Sequence, residues 1–266
     1  MALNDPGERR RVERRGGYFI VEGLVAIERL LATPSWQVRS LLLLPRLVER
    51  LKDRLVDLDA PVMVADEAVL QEVVGFPMHR GALASVTRVA PQRLDGEALT
   101  DLLRAARSGD HHGRRPLLMV VEGVNDHENL GALYRNARAL GTQAVVLDST
   151  SADPFYRRSV RVSSGLVLTV PTFRVETLPA TIETLRWGGV TTVALTPDGE
   201  VDLNDLDEVL DPRGPVALIV GAEGPGLTEA TSRAADHRAA IAMAADVDSL
   251  NVATAAAIAL HQLGHP

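Results

Sequence analysis

The chain has 266 residues, 46% of them hydrophobic and 3% aromatic, with a formal net charge of −7 and no cysteine. That length suits one or two domains with a well-buried core. The composition excludes disulfides and thiolate metal sites, and it disfavours a generic polyanion binder or an aromatic base-stacking platform.

The first 16 residues read as a basic arm, with Arg9, Arg10, Arg11, Arg14 and Arg15. The arm has no signal-peptide core, and no apolar run in the chain is long enough to span a bilayer, so we expect a cytoplasmic protein with no membrane partner. Residues 17–88 alternate between strand and helix patterns. YFIVEGLVAIERLL begins extended and turns helical, VRSLLLLP is a short buried strand, and RLVERLKDRLVDL is amphipathic. PVMVAD, EAVLQEVV and GALASVTRV continue as strand, helix and strand, which makes a small α/β module. Residues 89–116 read as a connector with a short helix, EALTDLLRAARSG, followed by the polar DHHGRRP. It holds a second basic cluster, His111, His112, Arg114 and Arg115. His111 and His112 lack a spaced carboxylate partner, so no metal site is expected there.

Residues 117–266 change to strand–loop–helix units. PLLMVVEG, TQAVVLD, SGLVLTVPTFRV, VTTVALTPDG, PVALIVGAEG and HRAAIAMAAD each hold a strand. NLGALYRNARALG, TLPATIETLRWGG and SLNVATAAAIALHQLG are helices. A third basic cluster, Arg157, Arg158 and Arg161, lies between them. The strands are continuous apolar runs, as in a parallel sheet covered on both faces. In such sheets ligands bind beyond the carboxyl ends of the strands. The glycine loop LIVGAEGPGLTEA lies at one such end. It is neither a triphosphate nor a nicotinamide fingerprint. Glu223 adds negative charge, and Pro225 removes an N–H donor.

Two further stretches carry polar residues at helix starts. In ENLGALYRNA, Asn129 reads as the N-cap, Gly131 allows close approach, and Arg135 reaches back toward the helix N-terminus. In IAMAADVDSLNVATAAA, Ser249 or Asn251 caps an Ala-rich helix.

In order and spacing these three stretches resemble the three motifs of the SpoU (TrmH-like) branch of the SPOUT RNA methyltransferases. Asn129, Gly131 and Arg135 match the first motif. Gly221, Glu223, Gly224 and Gly226 match the second, and Ile241-Ala242-Met243 with Ser249-Leu250-Asn251 match the third. Ala242 stands where the family has Pro, and Asn125-Asp126 where it often has Asp-Pro. The resemblance implies an α/β fold whose C-terminal SPOUT domain has a parallel sheet and a trefoil knot, preceded by a small α/β RNA-recognition domain. It implies S-adenosylmethionine as cofactor, held by Thr196, Gly221, Glu223, Gly226, Ile241, Met243, Leu250 and Asn251. It implies methylation of a ribose 2′-hydroxyl in RNA, with ribosomal RNA favoured over transfer RNA, by a homodimer that needs no metal. Arg135, Asn129, Glu223, Ser249 and Asn251 are the implied catalytic residues. Guanidinium is always protonated, so Arg135 is expected to stabilise a developing alkoxide rather than act as a base. Two rival readings are a non-catalytic RNA-binding protein of the same fold and a nucleotide-dependent oxidoreductase. The second lacks its glycine fingerprint.

Overall fold

The computed structural model describes residues 6–74, 81–90, 92–108 and 115–264. The chain divides into two compact units. One takes the chain to Ala90 together with Asp153–Thr169, and the other takes Pro91–Ala152 with everything from Val170.

The first unit contains α1 (Pro6–Arg15), β1 (Tyr18–Glu22), α2 (Leu24–Leu31), β2 (Val38–Leu43), α3 (Pro45–Leu55), β3 (Val62–Val64), α4 (Glu67–Val74) and β4 (Ala82–Thr87). Its sheet runs β1-β4-β2-β3; β4 is antiparallel to both neighbours, and β2 and β3 are parallel. The basic arm is therefore helical from Pro6, with Arg11 ion-paired to Glu8 at 2.8 Å. The later segment, Asp153–Thr169, adds a short helix (Arg157–Val162) and a 3-10 turn (Leu166–Thr169). Aromatic packing and buried polar contacts hold it there. Phe155 lies 5.3 Å from Phe19 and 5.0 Å from Trp36, ring centre to ring centre. Arg157 Nε meets Glu22 Oε2 at 2.6 Å, and Trp36 Nε1 donates to the Leu168 carbonyl at 2.7 Å. In a chain so poor in aromatics, three of them meet at this one place, where offset and edge-on contacts add to burial.

The second unit contains α5 (Gly96–Ser108), β5 (Leu117–Glu122), α6 (His127–Ala139), β6 (Thr142–Leu147), β7 (Thr172–Arg174), α8 (Leu178–Trp187), β8 (Thr191–Leu195), β9 (Val201–Asp202), β10 (Val216–Gly221), α9 (Glu229–Ala234), β11 (His237–Ala240) and α10 (Val252–Leu263), α7 being the Arg157–Val162 helix. Seven parallel strands run in the order β7-β6-β5-β10-β8-β11-β9. Leu118, Val120, Ala217 and Ile219 face Leu99 and Leu103 of α5 and Ile182 and Leu185 of α8 in one apolar core. The helix in the expected connector is thus part of this unit. On the other face α6 and α10 pack together and onto β6 and β10. Asn136 Nδ2 ties the two helices by donating to the Ala253 carbonyl at 2.7 Å.

The strand expected within SGLVLTVPTFRV is its last part, Thr172–Arg174, which pairs with β6, while Leu166–Thr169 forms the 3-10 turn. One local expectation is corrected: Asn129 is not the cap of α6. Asp126 is, its Oδ1 accepting from the N–H groups of Glu128 (2.7 Å) and Asn129 (2.9 Å).

At the end of β6 the buried Asp148 organises the following turn. Its carboxylate accepts from Gly123 N–H at 3.1 Å and Ser151 N–H at 2.9 Å, and from the Thr150 and Ser151 hydroxyls. Arg174 closes the other side, donating to the Asp148 carbonyl at 2.8 Å and the Ala152 carbonyl at 2.9 Å. Burial pushes the Asp148 carboxyl up, but the Ser151 and Thr150 hydroxyls and the two backbone N–H groups outweigh it, so its pKa is lowered.

Phe155→Ala should cost the first unit about 3 kcal/mol by emptying that aromatic site, read from chemical denaturation followed by Trp36 fluorescence. Because the folded pKa of Asp148 is depressed, its contribution is full above the ordinary carboxylate range and fades as pH falls through the folded value. Asp148→Asn should therefore melt below the wild type at pH 7, with the gap closing in acid; a gap independent of pH would refute the assignment.

Candidate active site

The carboxyl ends of β8, β10 and β11, three neighbouring strands, open onto a cavity of about 350 Å³. Three loops wall it: Leu195–Asp198 after β8, Gly221–Leu227 after β10, and a run from Ile241 to Leu250 after β11, with Val252 and Ala255 of α10 behind. Of these strands β10 adjoins β5, from which the chain leaves in one direction for β6 and β7 and later returns to the other side through β8 and β10.

The glycine loop is folded on itself. Gly226 N–H donates to the Ala222 carbonyl at 3.0 Å. Gly221 lies so close to the returning chain that an added Cβ would sit 2.3 Å from the Gly226 carbonyl carbon and 2.4 Å from Leu227 N. The far end is held by Glu122, which pairs in register with Gly221 on the adjacent strand. Its carboxylate accepts from Thr228 N–H at 2.8 Å, from the Thr228 hydroxyl at 3.0 Å and from the Thr231 hydroxyl at 2.6 Å.

Beside the loop, one side chain joins the three motif segments. Asn251 Nδ2 donates to Glu223 Oε1 at 2.6 Å and to Asn129 Oδ1 at 2.9 Å. Its Oδ1 caps α10, accepting from Ala253 N–H at 3.0 Å and Thr254 N–H at 3.2 Å. Asn251 rather than Ser249 is therefore the cap. Glu223 is bound by the side-chain amide of Asn251.

Of the residues assigned to the cofactor, Thr196, Gly221, Glu223, Gly226, Ile241, Met243 and Leu250 line the cavity. Asn251 does not line it; its amide joins the cap of α10, Asn129 and Glu223. Ser249 is on the wall, and Asn129 reaches the cluster through Asn251. Arg135 is exposed on α6 and is not drawn into this network; six residues place it about 120° round the helix from Asn129. Of the other basic residues, Arg115 is buried against Asp207 at 2.8 Å, and Arg157 is half-buried against Glu22. His111, His112 and Arg114 lie outside the described residues. Among the described residues no group of three His, Cys, Asp or Glu side chains is placed to hold a metal, and no helix is long and apolar enough to cross a membrane.

The sequence reading missed Asp198. It lines the cavity, and its Oδ1 accepts from the Thr196 hydroxyl. That hydroxyl, then its own N–H and more weakly the charge of Arg238, lower its pKa against a small effect of burial. Its position just beyond a parallel strand was the available signal.

The comparisons agree with this geometry. The profile of the SpoU rRNA Methylase family matches residues 116–261. The chain is 40% identical over 243 residues to an uncharacterized tRNA/rRNA methyltransferase of Mycobacterium bovis, covering 91% of this chain and 79% of that one. It is 31% identical over 247 residues to the 23S rRNA (guanosine-2′-O-)-methyltransferase RlmB of Shewanella oneidensis, covering 91% and 95%. The AdoMet-bound rRNA methyltransferase from Sinorhizobium meliloti superposes with a TM-score of 0.77 at 26% identity, covering 98% of this chain and 91% of that one. The chain belongs to the SpoU rRNA methylase family.

Gly221→Ala should lower stability by about 2 kcal/mol, since backbone rather than a mobile side chain must give way. Gly96→Ala, where an added Cβ meets nothing within 4 Å, is the control expected to leave the melting temperature unchanged or raised.

Proposed function

We propose that this chain is a cytoplasmic, homodimeric methyltransferase that moves a methyl group from S-adenosylmethionine to a ribose 2′-hydroxyl of RNA, with a 23S rRNA guanosine as the favoured substrate. The observation that carries the reading is the cavity itself. The two glycine- and asparagine-bearing loops of the family motifs wall it, and the Asn129–Asn251–Glu223 cluster stands at its edge. A volume of about 350 Å³ falls in the range of small-ligand pockets. Its lining has apolar walls for an adenosine, backbone and hydroxyl groups for polar edges, and no Lys, Arg or His to attract a phosphate. That suits a cofactor without phosphate. The ribosomal preference rests on the relative matched over nearly its whole length, which is named for 23S rRNA.

When bound, the cofactor supplies a methyl group already activated on a sulfonium sulfur. Gly221, Ile241 and Leu250 would hold the adenosine, with Thr196, Gly226 and Met243 completing the wall. Asn251 fixes the direction of Glu223 and Asn129, leaving the second Glu223 oxygen to meet a polar group of cofactor or RNA. Ser249 presents a hydroxyl to the same space. Arg135, charged and exposed, binds the RNA backbone and stabilises charge developing on the 2′-oxygen. The reading includes the family's trefoil knot, made by the chain after β10 and β11, and a dimer that presents Arg135 to the reacting ribose.

The test is transfer of labelled methyl from S-adenosylmethionine to unmodified 23S rRNA and, separately, to transfer RNA, followed by digestion to identify 2′-O-methylguanosine. Label in 23S rRNA alone is expected. Arg135→Lys should lower turnover about 100-fold while leaving stability within about 0.5 kcal/mol, because the side chain is exposed. Unchanged turnover would remove any guanidinium-specific role of Arg135, and absence of label with no cofactor binding would favour a non-catalytic RNA-binding protein.

A further inference from the structure

The cavity carries two carboxylates, Asp198 and Glu223, and no cationic side chain among its lining residues. Glu223 is held by Asn251. Asp198 has no part in the roles assigned above, yet its turn is built to hold it. Thr196 N–H donates to the Ala239 carbonyl at 2.9 Å, and Gly199 N–H to the Thr196 carbonyl at 3.2 Å. Gly199 presses against β11 so closely that a Cβ would lie 2.3 Å from the Ala239 carbonyl carbon. The Thr196 hydroxyl occupies one Asp198 oxygen. Arg238, the cation beyond the turn, is ion-paired with Glu200 and so leaves the charge of Asp198 largely uncompensated. The lowered pKa, due first to the Thr196 hydroxyl, means that the carboxylate is ionised at neutral pH.

We propose that Asp198 makes the cavity selective for charge: its carboxylate favours the sulfonium cation of S-adenosylmethionine over the neutral thioether of the demethylated product. Methyl transfer removes one positive charge from the cofactor. A fixed negative charge on the wall is therefore worth more to the substrate than to the product, and it promotes exchange of one for the other. Most of the two ligands' surface is shared, so contacts that read adenosine or ribose cannot make this distinction. The inference rests on the reading that this cavity holds S-adenosylmethionine.

Calorimetric titration of the full-length protein tests it with three ligands: S-adenosylmethionine, S-adenosylhomocysteine, and an analogue with a protonated amine in place of the sulfonium. Asp198→Asn should weaken the two cationic ligands about threefold, the scale of an exposed ion pair, and leave S-adenosylhomocysteine unchanged. Glu200→Gln releases Arg238 to compensate Asp198, and should lower the ratio of affinities in the same direction as Asp198→Asn, by a smaller factor. In the wild type that ratio should fall as salt is raised. Equal weakening of all three ligands by Asp198→Asn, no weakening, or a wild-type ratio indifferent to salt would each overturn the inference while leaving the cofactor assignment intact. A wild type that binds none of the three would overturn the cofactor assignment and this inference with it.

Discussion

The site depends on the orientation of one amide. The two donors of Asn251 serve Asn129 and Glu223, and its single oxygen serves the first turn of α10. Rotating the group by half a turn would set N–H against the N–H groups of Ala253 and Thr254, and oxygen against two oxygens. The network thus permits one orientation. An aspartate in its place could still cap the helix, but it would put a second carboxylate where the amide now meets Glu223 at 2.6 Å. A cap, a loop and a neighbouring helix are fixed together by a residue that a helix-capping argument alone would treat as local.

The glycine loop differs from a phosphate cradle in where its N–H groups point. A phosphate loop turns successive N–H groups outward toward the ligand. Here Gly226 N–H is spent on Ala222, Thr228 N–H on Glu122, and Pro225 has none to offer. Glu122 makes the arrangement possible: it ends the strand beside β10 and takes three donors from the returning chain. The glycines buy close approach of chain to chain, at Gly221 against Gly226, more than approach of chain to anion. The negative charge of Glu223 in the same loop is compatible with this, since the N–H groups of Gly226 and Thr228 face the protein's own acceptors.

Much of the second unit was legible in the sequence because buried parallel strands are short apolar runs ended by glycine, proline or acid. PLLMVVEG, TQAVVLD and PVALIVGAEG give β5, β6 and β10 directly. The helix start at Asn125–Asn129 was less so: two Asn and one Asp compete within five residues, and backbone geometry at Asp126 decides between them. The packing of Asp153–Thr169 with the first unit was not legible, since no local pattern tells Phe155 that its partners are Phe19 and Trp36, more than a hundred residues away. The third basic cluster was similarly ambiguous. Arg157 is a part-buried ion-pair partner of Glu22, while Arg161 in the same short helix is exposed. Charge type is readable from sequence, but its destination is set by contacts distant along the chain.

The separation of Arg135 from the carboxylate cluster has a physical logic. Drawn against Glu223, a guanidinium would have much of its charge satisfied before any substrate arrived, and binding an anion would require breaking that pair. On the exposed face of α6 it contributes little to folding and keeps its charge available, while the cluster of Asn129, Asn251 and Glu223 is ordered without it. In the function proposed above, the acidic cavity and the basic side chain would serve opposite partners, the wall a cationic cofactor and the arginine a polyanionic substrate. Keeping the two apart on one scaffold would prevent them from neutralising each other, and a net negative charge would then be no obstacle to binding RNA, since what an RNA meets is set locally.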